Sequence, residues 1–253
     1  MRVSRSFVAA LFLAAGLASP VMGQAPSTAT ASPVDGAQRK AALDLAGTIY
    51  SVENQTLGME NFLQNSFGPT LLKEPSIREM EDASPGMVKA IIEAMRPIFR
   101  QFIVDELPAY HAGVADIYVA HLTTDEMIAM KRFFETPTGQ KLVRGVHSNM
   151  TFDSMMTEIV ADPNAPTSRK AIEDDQMAAV GRAVRSIDVS DRSALEAAIG
   201  STWISKVKVM RPKLLDHETK YMNQPSPKFE AAIEEAMLRV IGERFPEGSS
   251  AKR

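Results

Sequence analysis

The sequence predicts an all-α fold: a multi-helix bundle of antiparallel and kinked helices built around a helix–turn–helix pair at about residues 123–160. Three observations carry that prediction. Apolar residues recur at alternating steps of three and four through most of the chain, the period of a helix with one buried face. Helix starts and stops are written locally, as Ser84-Pro85, Thr123 with Glu126, and Thr136-Pro137, where a hydroxyl can cap and proline fits a first turn. Methionine is abundant, 15 of 253 residues, while aromatics make up 6 %. Flexible thioethers fill irregular helical cores.

The N-terminus is set apart from the fold. Arg2 and Arg5 precede an apolar run from Phe7 to Ala18, followed by small residues at Val21, Gly23 and Ala25. That is the pattern of a secretory signal peptide over residues 1–23, with cleavage after Gly23 or as late as Ala25. The run is too short for a spanning helix, which needs about 20 residues. The reading is therefore a periplasmic protein with no stable membrane insertion after cleavage. With no cysteine there is no disulfide, thiolate metal site or lipidated cysteine, so the core alone must hold the fold. The 28 basic and 31 acidic residues leave a net charge of −3, more negative once Arg2 and Arg5 are removed. Such a surface offers no electrostatic footprint for nucleic acid.

Residues 24–37 are small and polar with two prolines and read as a disordered leader. Ala41, Ala42, Leu45, Ile49 and Val52 then predict a first helix from Gln38 to about Glu53. A second runs from Leu57 to Phe67 and is interrupted by Gly68-Pro69. Residues 70–84 read as irregular, with a short helix at Ile77 to Met80. Ser84 should cap a long amphipathic run with Pro85 at its first position. That run passes Pro97 and Pro108, with a kink expected near Pro97 and a break and restart possible at Asp105 to Pro108.

The most clearly punctuated stretch is Leu122 to Val143. Thr123 and Glu126 form a capping box, and Leu122 with Met127 a hydrophobic staple. Met127, Met130, Phe133 and Phe134 supply an apolar face. Thr136-Pro137 ends that helix and opens a second, read as continuing through Leu142, Val146 and Met150 to about Val160. Residues 161–168 are a linker between a helical domain at 38–160 and a C-terminal helical region at 169–246, in the same or a second domain. That region reads as helices at Arg169 to Ile187, Ser193 to Tyr221 with Pro212 inside, and Lys228 to Phe245. Trp203 is the expected core anchor. Residues 247–253 are a disordered tail.

Tyr118, Leu122 to Glu126 and Phe133-Phe134-Glu135-Thr136-Pro137-Thr138-Gly139-Gln140-Lys141 resemble the bacterial family catalogued as domain of unknown function 2059. That family usually has Phe-Tyr and Ser-Pro where this chain has Phe133-Phe134 and Thr136-Pro137, and both departures keep the mechanical role. The resemblance covers about residues 38–160, with Leu122 to Lys141 its specific part. It implies an exported, mostly helical protein and brings no catalytic residues with it.

No phosphate loop, nucleophile elbow or His-Glu-x-x-His is present. His111 and His121 lie ten residues apart, about 15 Å along a helix, too far to share one metal ion; His147 and His217 are isolated. Acidic clusters such as Asp125-Glu126, Glu173 to Asp175 and Glu234-Glu235 could supply paired carboxylates for acid–base work, but Asp125-Glu126 and Glu173 to Asp175 read better as first-turn residues of helices. Met127, Met130, Met150, Met155 and Met156, with His121 and His147, are a conceivable Cu(I) set that reads better as a Met-lined core. No catalytic, cofactor-binding or metal-ligating residue is assigned. Gly139, Gln140 and Lys141 have no evident structural need and are the candidate partner contact. The functional reading is a non-enzymatic protein that binds another protein or a cell-envelope component through a helical apolar groove. The alternatives are a periplasmic hydrolase with dispersed Asp, Glu and His, and a carrier of a small apolar ligand.

Overall fold

The computed structural model describes residues 33–162 and 165–245. The signal peptide, the leader up to residue 32 and the 247–253 tail fall outside them. The described residues are helical with no strand among them.

The first helix, α1, runs Pro33–Ile49, so it starts inside the stretch read as leader. Tertiary bonds hold the helix from residue 38 on. Gln38 donates to the carbonyls of Val119 (3.3 Å) and Leu122 (3.1 Å), and Arg39 pairs with Asp116 and donates to the Ala112 carbonyl at 3.2 Å. Helix α2, Val52–Asn61, is separate because the Ser51 side chain accepts from the Asn54 amide and caps it. Gly68-Pro69 does not stop the chain there. A π-helical turn, Phe62–Phe67, widens the helix just before Pro69, whose ring crowds the preceding turn, and α3 continues as Gly68–Leu71. The short helix expected at Ile77 to Met80 extends to Pro75–Ala83 (α4).

Helix α5, Met87–His121, is 35 residues long with Pro97 and Pro108 both inside it. No break occurs at Asp105 to Pro108. Its start differs from expectation: Gly86, not Ser84, takes the N-cap position, with φ +85°, a conformation that favours glycine. The Glu81 carboxylate serves the free amides in place of a hydroxyl, accepting from Gly86 at 2.6 Å and Val88 at 2.8 Å. Those backbone bonds, Val88 first, hold its carboxyl below the usual range.

Helix α6, Thr124–Glu135, has the predicted capping box: the Thr123 amide donates to Glu126 at 2.8 Å and the Glu126 amide to the Thr123 hydroxyl at 3.3 Å. Thr136 then caps α7, with Pro137 at its first position. The second member of the predicted pair is two helices, α7 Pro137–Ser148 and α8 Asp153–Ala161. Between them Phe152 sits at φ +53°. The break is held from a distant helix, α9 (Arg169–Arg185). Arg182 donates to the Asn149 carbonyl at 2.7 Å, and Asp175 accepts from the amides of Ser154 (2.9 Å) and Met155 (3.1 Å), capping α8. The helix expected at Ser193 to Tyr221 is likewise divided, into α10 Arg192–Ile199 and α11 Thr202–Met222, at Gly200-Ser201. Helix α12, Pro227–Arg244, closes the chain.

Two apolar cores lie along α5. The first gathers Ile91, Met95, Phe99 and Phe102 with Phe62, Leu63, Phe67 and Ile159, and with Phe229, Ile233 and Met237 of α12. Phe229 packs between Phe99 and Phe102, with ring centroids at 5.0 and 4.5 Å. The second gathers Tyr110, Val114 and Tyr118 with Leu45 of α1, Met127 and Met130 of α6, and Trp203 and Met210 of α11. Trp203 lies against Phe133 and Phe134, as expected of an anchor. Neither core closes without helices from beyond residue 168, and α5 is the wall both share.

Candidate interaction surface and its polar backing

Helix α9 fastens its neighbours through its N-terminal side chains and its buried face. Ser168 caps it by accepting from the Ala171 amide at 3.1 Å, and its own hydroxyl donates to Glu158 at 2.6 Å. Arg169 pairs with Asp216 at 2.8 Å and Glu173 with Arg211 at 2.8 Å, both on α11. Ala171, Ile172, Asp175, Ala179 and Ala183 are buried. The outer face is different. Met177 is 48 % exposed, Val180 37 % and Val184 52 %, at steps of three and four that put them on one stripe. Single exposed hydrophobes are ordinary on a protein surface, whereas contiguous ones mark interaction sites.

Behind α9 lies a polar seam between α11 and α5. Gln176 donates to the Glu218 carboxylate. Burial pushes the Glu218 carboxyl up to about 7, with the Gln176 bond pulling the other way. Burial, with the negative charge of Glu218 as a smaller contribution, raises the phenols of Tyr50 and Tyr110 above the ordinary range. The Tyr50 hydroxyl is hydrogen-bonded to those of Tyr110 and Tyr118, and the Tyr110 ring stands edge-on to Tyr50 at 5.1 Å and to Tyr221 at 4.8 Å. His217 lies over Gly113, where a Cβ would come within 2.2 Å of its ring, and its Nε2 meets the Tyr110 carbonyl at 3.2 Å. A carboxyl titrating near neutrality is suited to acid–base work. The phenols around it are spent on each other. The sequence reading missed this seam, because Glu218 and Tyr50 are 168 positions apart and neither belongs to a motif.

The other histidines serve backbone carbonyls. His111 Nε2 meets the Tyr50 carbonyl at 2.8 Å and His121 Nδ1 that of Ile117 at 2.8 Å. His147 contacts the Ile49 carbonyl, and burial lowers its imidazole to about 4. The methionines of the Cu(I) alternative do not converge: Met127 and Met130 enter the second core, Met156 the first, and Met155 a third cluster with Ile172 and Leu215. No group of three His, Cys, Asp or Glu that could hold a metal exists among the described residues. The acidic triplet points three ways, Glu173 to Arg211, Asp174 to Lys170 and Asp175 to the start of α8. Glu126 is paired with Lys206 at 2.6 Å, and Glu234 and Glu235 are exposed.

Gly139, Gln140 and Lys141 prove to have structural roles. A Cβ on Gly139 would stand 2.1 Å from the Phe133 carbonyl oxygen and 2.6 Å from the Phe134 Cα, so only glycine lets α7 turn back this tightly on α6. Gln140 donates to the Phe134 carbonyl at 2.7 Å. Lys141 pairs with Asp191 at 2.7 Å and Asp188 at 3.3 Å, and Asp191 also accepts from the Thr138 hydroxyl at 2.7 Å.

Residues 111–147 match the family model described as "Uncharacterized protein conserved in bacteria (DUF2059)". The DUF2059 match lies inside the 38–160 span of the resemblance and contains its specific part, Leu122 to Lys141. It begins at His111 and ends at His147, the two imidazoles that meet the carbonyls of Tyr50 and Ile49, so it covers the end of α5 with α6 and α7. Helix α9 and Glu218 fall outside the DUF2059 segment. No curated protein matches the chain, and no solved structure does. No helix among the described residues is long and apolar enough to cross a membrane.

Proposed function

We propose that the chain is an exported, periplasmic, non-enzymatic binding protein that takes a protein or cell-envelope component on the outer face of α9. The observation that carries this reading is the stripe of Met177, Val180 and Val184, apolar and exposed on a helix whose inner face is fully engaged. Export rests on the signal-peptide pattern of residues 1–23. The test is co-purification from a periplasmic extract with the wild-type chain and with a Met177→Gln, Val180→Ser, Val184→Gln variant of unchanged helical content. A companion retained by the wild type and lost by the variant is expected. Equal recovery by both overturns the reading.

The hydrolase alternative draws on one observation, the Glu218 carboxyl held at about 7. Under it, the wild-type chain hydrolyses ester or peptide reporter substrates and Glu218→Gln does not.

A further inference from the structure

We propose that the occupant of the α9 face is a second copy of this chain, packed antiparallel across a two-fold axis at Val180; the inference rests on the reading of α9 as the binding face. The pattern along the helix is what points to self-pairing. Met177 lies three residues before Val180 and Val184 four after it, so in an antiparallel pair Met177 meets the second copy's Val184 and Val180 meets Val180. The charges follow the same centre. Asp174 precedes Val180 by six residues and Arg185 follows it by five. The eleven residues between them are three turns with about 20° left over, which puts both on the same flank of the stripe. In an antiparallel helix pair the same flanks face each other, so each Asp174 meets the second copy's Arg185, and the contact is made twice, as an isologous interface requires. Arg185 makes no ion pair among the described residues, whereas Asp174 is paired only along its own helix, with the exposed Lys170. Both are therefore open to a partner.

The helix is 17 residues long, about 25 Å. One helix pair of that length lies at the low end of the area that stable association buries. The expected assembly is a dimer that dissociates on dilution.

The chain has no cysteine, so a single introduced thiol reports which surface meets its own copy. Oxidation of purified Val180→Cys chain is expected to give a disulfide-linked dimer. Val209→Cys, more open than Val180 and on α11, is expected to stay monomeric. Equimolar Met177→Cys and Val184→Cys chains are expected to cross-link with each other. Sedimentation velocity should show a concentration-dependent dimer whose dissociation constant rises about tenfold in Asp174→Arg and in Arg185→Asp. It should recover in the variant carrying both changes, provided circular dichroism shows each variant folded. A chain that stays monomeric at every concentration, a dimer indifferent to the charge reversals, or Val209→Cys linking as readily as Val180→Cys overturns the proposal. If the chain is monomeric while the apolar-stripe variant still loses a companion from extract, the self-pairing fails and α9 stands as a binding face. If neither effect is seen, both fail.

Discussion

Gln176 of α9 donates its side-chain amide to the Glu218 carboxylate of α11, so a neutral donor faces an acid that burial holds at about 7. The bond joins the outward-facing helix to the tyrosine seam, because the charge of Glu218 acts on Tyr50 and Tyr110 beyond it. The consequence is thermodynamic. An acid whose pKa is higher folded than unfolded binds its proton more tightly in the folded chain, so protonation favours folding.

Stability attributable to Glu218 is therefore fully present below about pH 4.5 and is lost as pH rises toward 7. The ceiling is about 3 kcal/mol, at 1.36 kcal/mol for each pKa unit. Urea titrations of the wild type and Glu218→Gln at a series of pH values should show the wild type losing stability relative to the variant across that window. Parallel profiles would contradict the buried acid.

His147 works in the opposite sense. Burial lowers its imidazole from 6.5 to about 4, so the folded chain resists the proton. Its contribution is present above pH 6.5 and is lost as pH falls through 4. In His147→Gln the acid-side decline between those values should flatten, read as the urea midpoint against pH, while the Glu218 window stays unchanged. An acid limb as steep as that of the wild type would remove His147 as its source.

Much of the fold was legible because its signals are local. Thr123 with Glu126, and Thr136 with Pro137, satisfy amides within one turn of their own helix, so the starts of α6 and α7 could be read from neighbours alone. The errors fall where a distant residue does the capping. Asp175 and Arg182 hold the break before α8 from α9, and Glu81 replaces Ser84 at the start of α5. Gly139 shows no structural need in the sequence because its reason, the Phe133 carbonyl, lies in the turn geometry. The Glu218 seam had no signal at all, since its chemistry comes from burial rather than from spacing.

Gly139→Ala tests the turn. Its Cβ meets backbone rather than a side chain, with the Phe133 oxygen at 2.1 Å, so relief requires α6 and α7 to move apart. The expected cost is about 3 kcal/mol in urea unfolding. Gln140→Ala loses one neutral hydrogen bond, worth about 1 kcal/mol, and Lys141→Ala should cost no more, because the buried Asp191 keeps the Thr138 hydroxyl as a donor. Equal effects of Gly139→Ala and Gln140→Ala would argue against the close approach.

Gly113 and His217 offer a case in which the neighbour can be removed. A Cβ at position 113 would stand 2.2 Å from the His217 ring, but that ring ends a side chain whose fixed contact is the Tyr110 carbonyl. Gly113→Ala should therefore cost about 1–3 kcal/mol by displacing the imidazole. In a His217→Ala background the three nearest atoms to that Cβ are gone, and alanine's higher helix propensity should make the change neutral or stabilising by up to about 1 kcal/mol. The two single costs would then exceed the cost of the double variant, giving a coupling energy that contact pairs show and distant pairs do not. Additive costs would place His217 away from Gly113 and release Tyr110 from its lid.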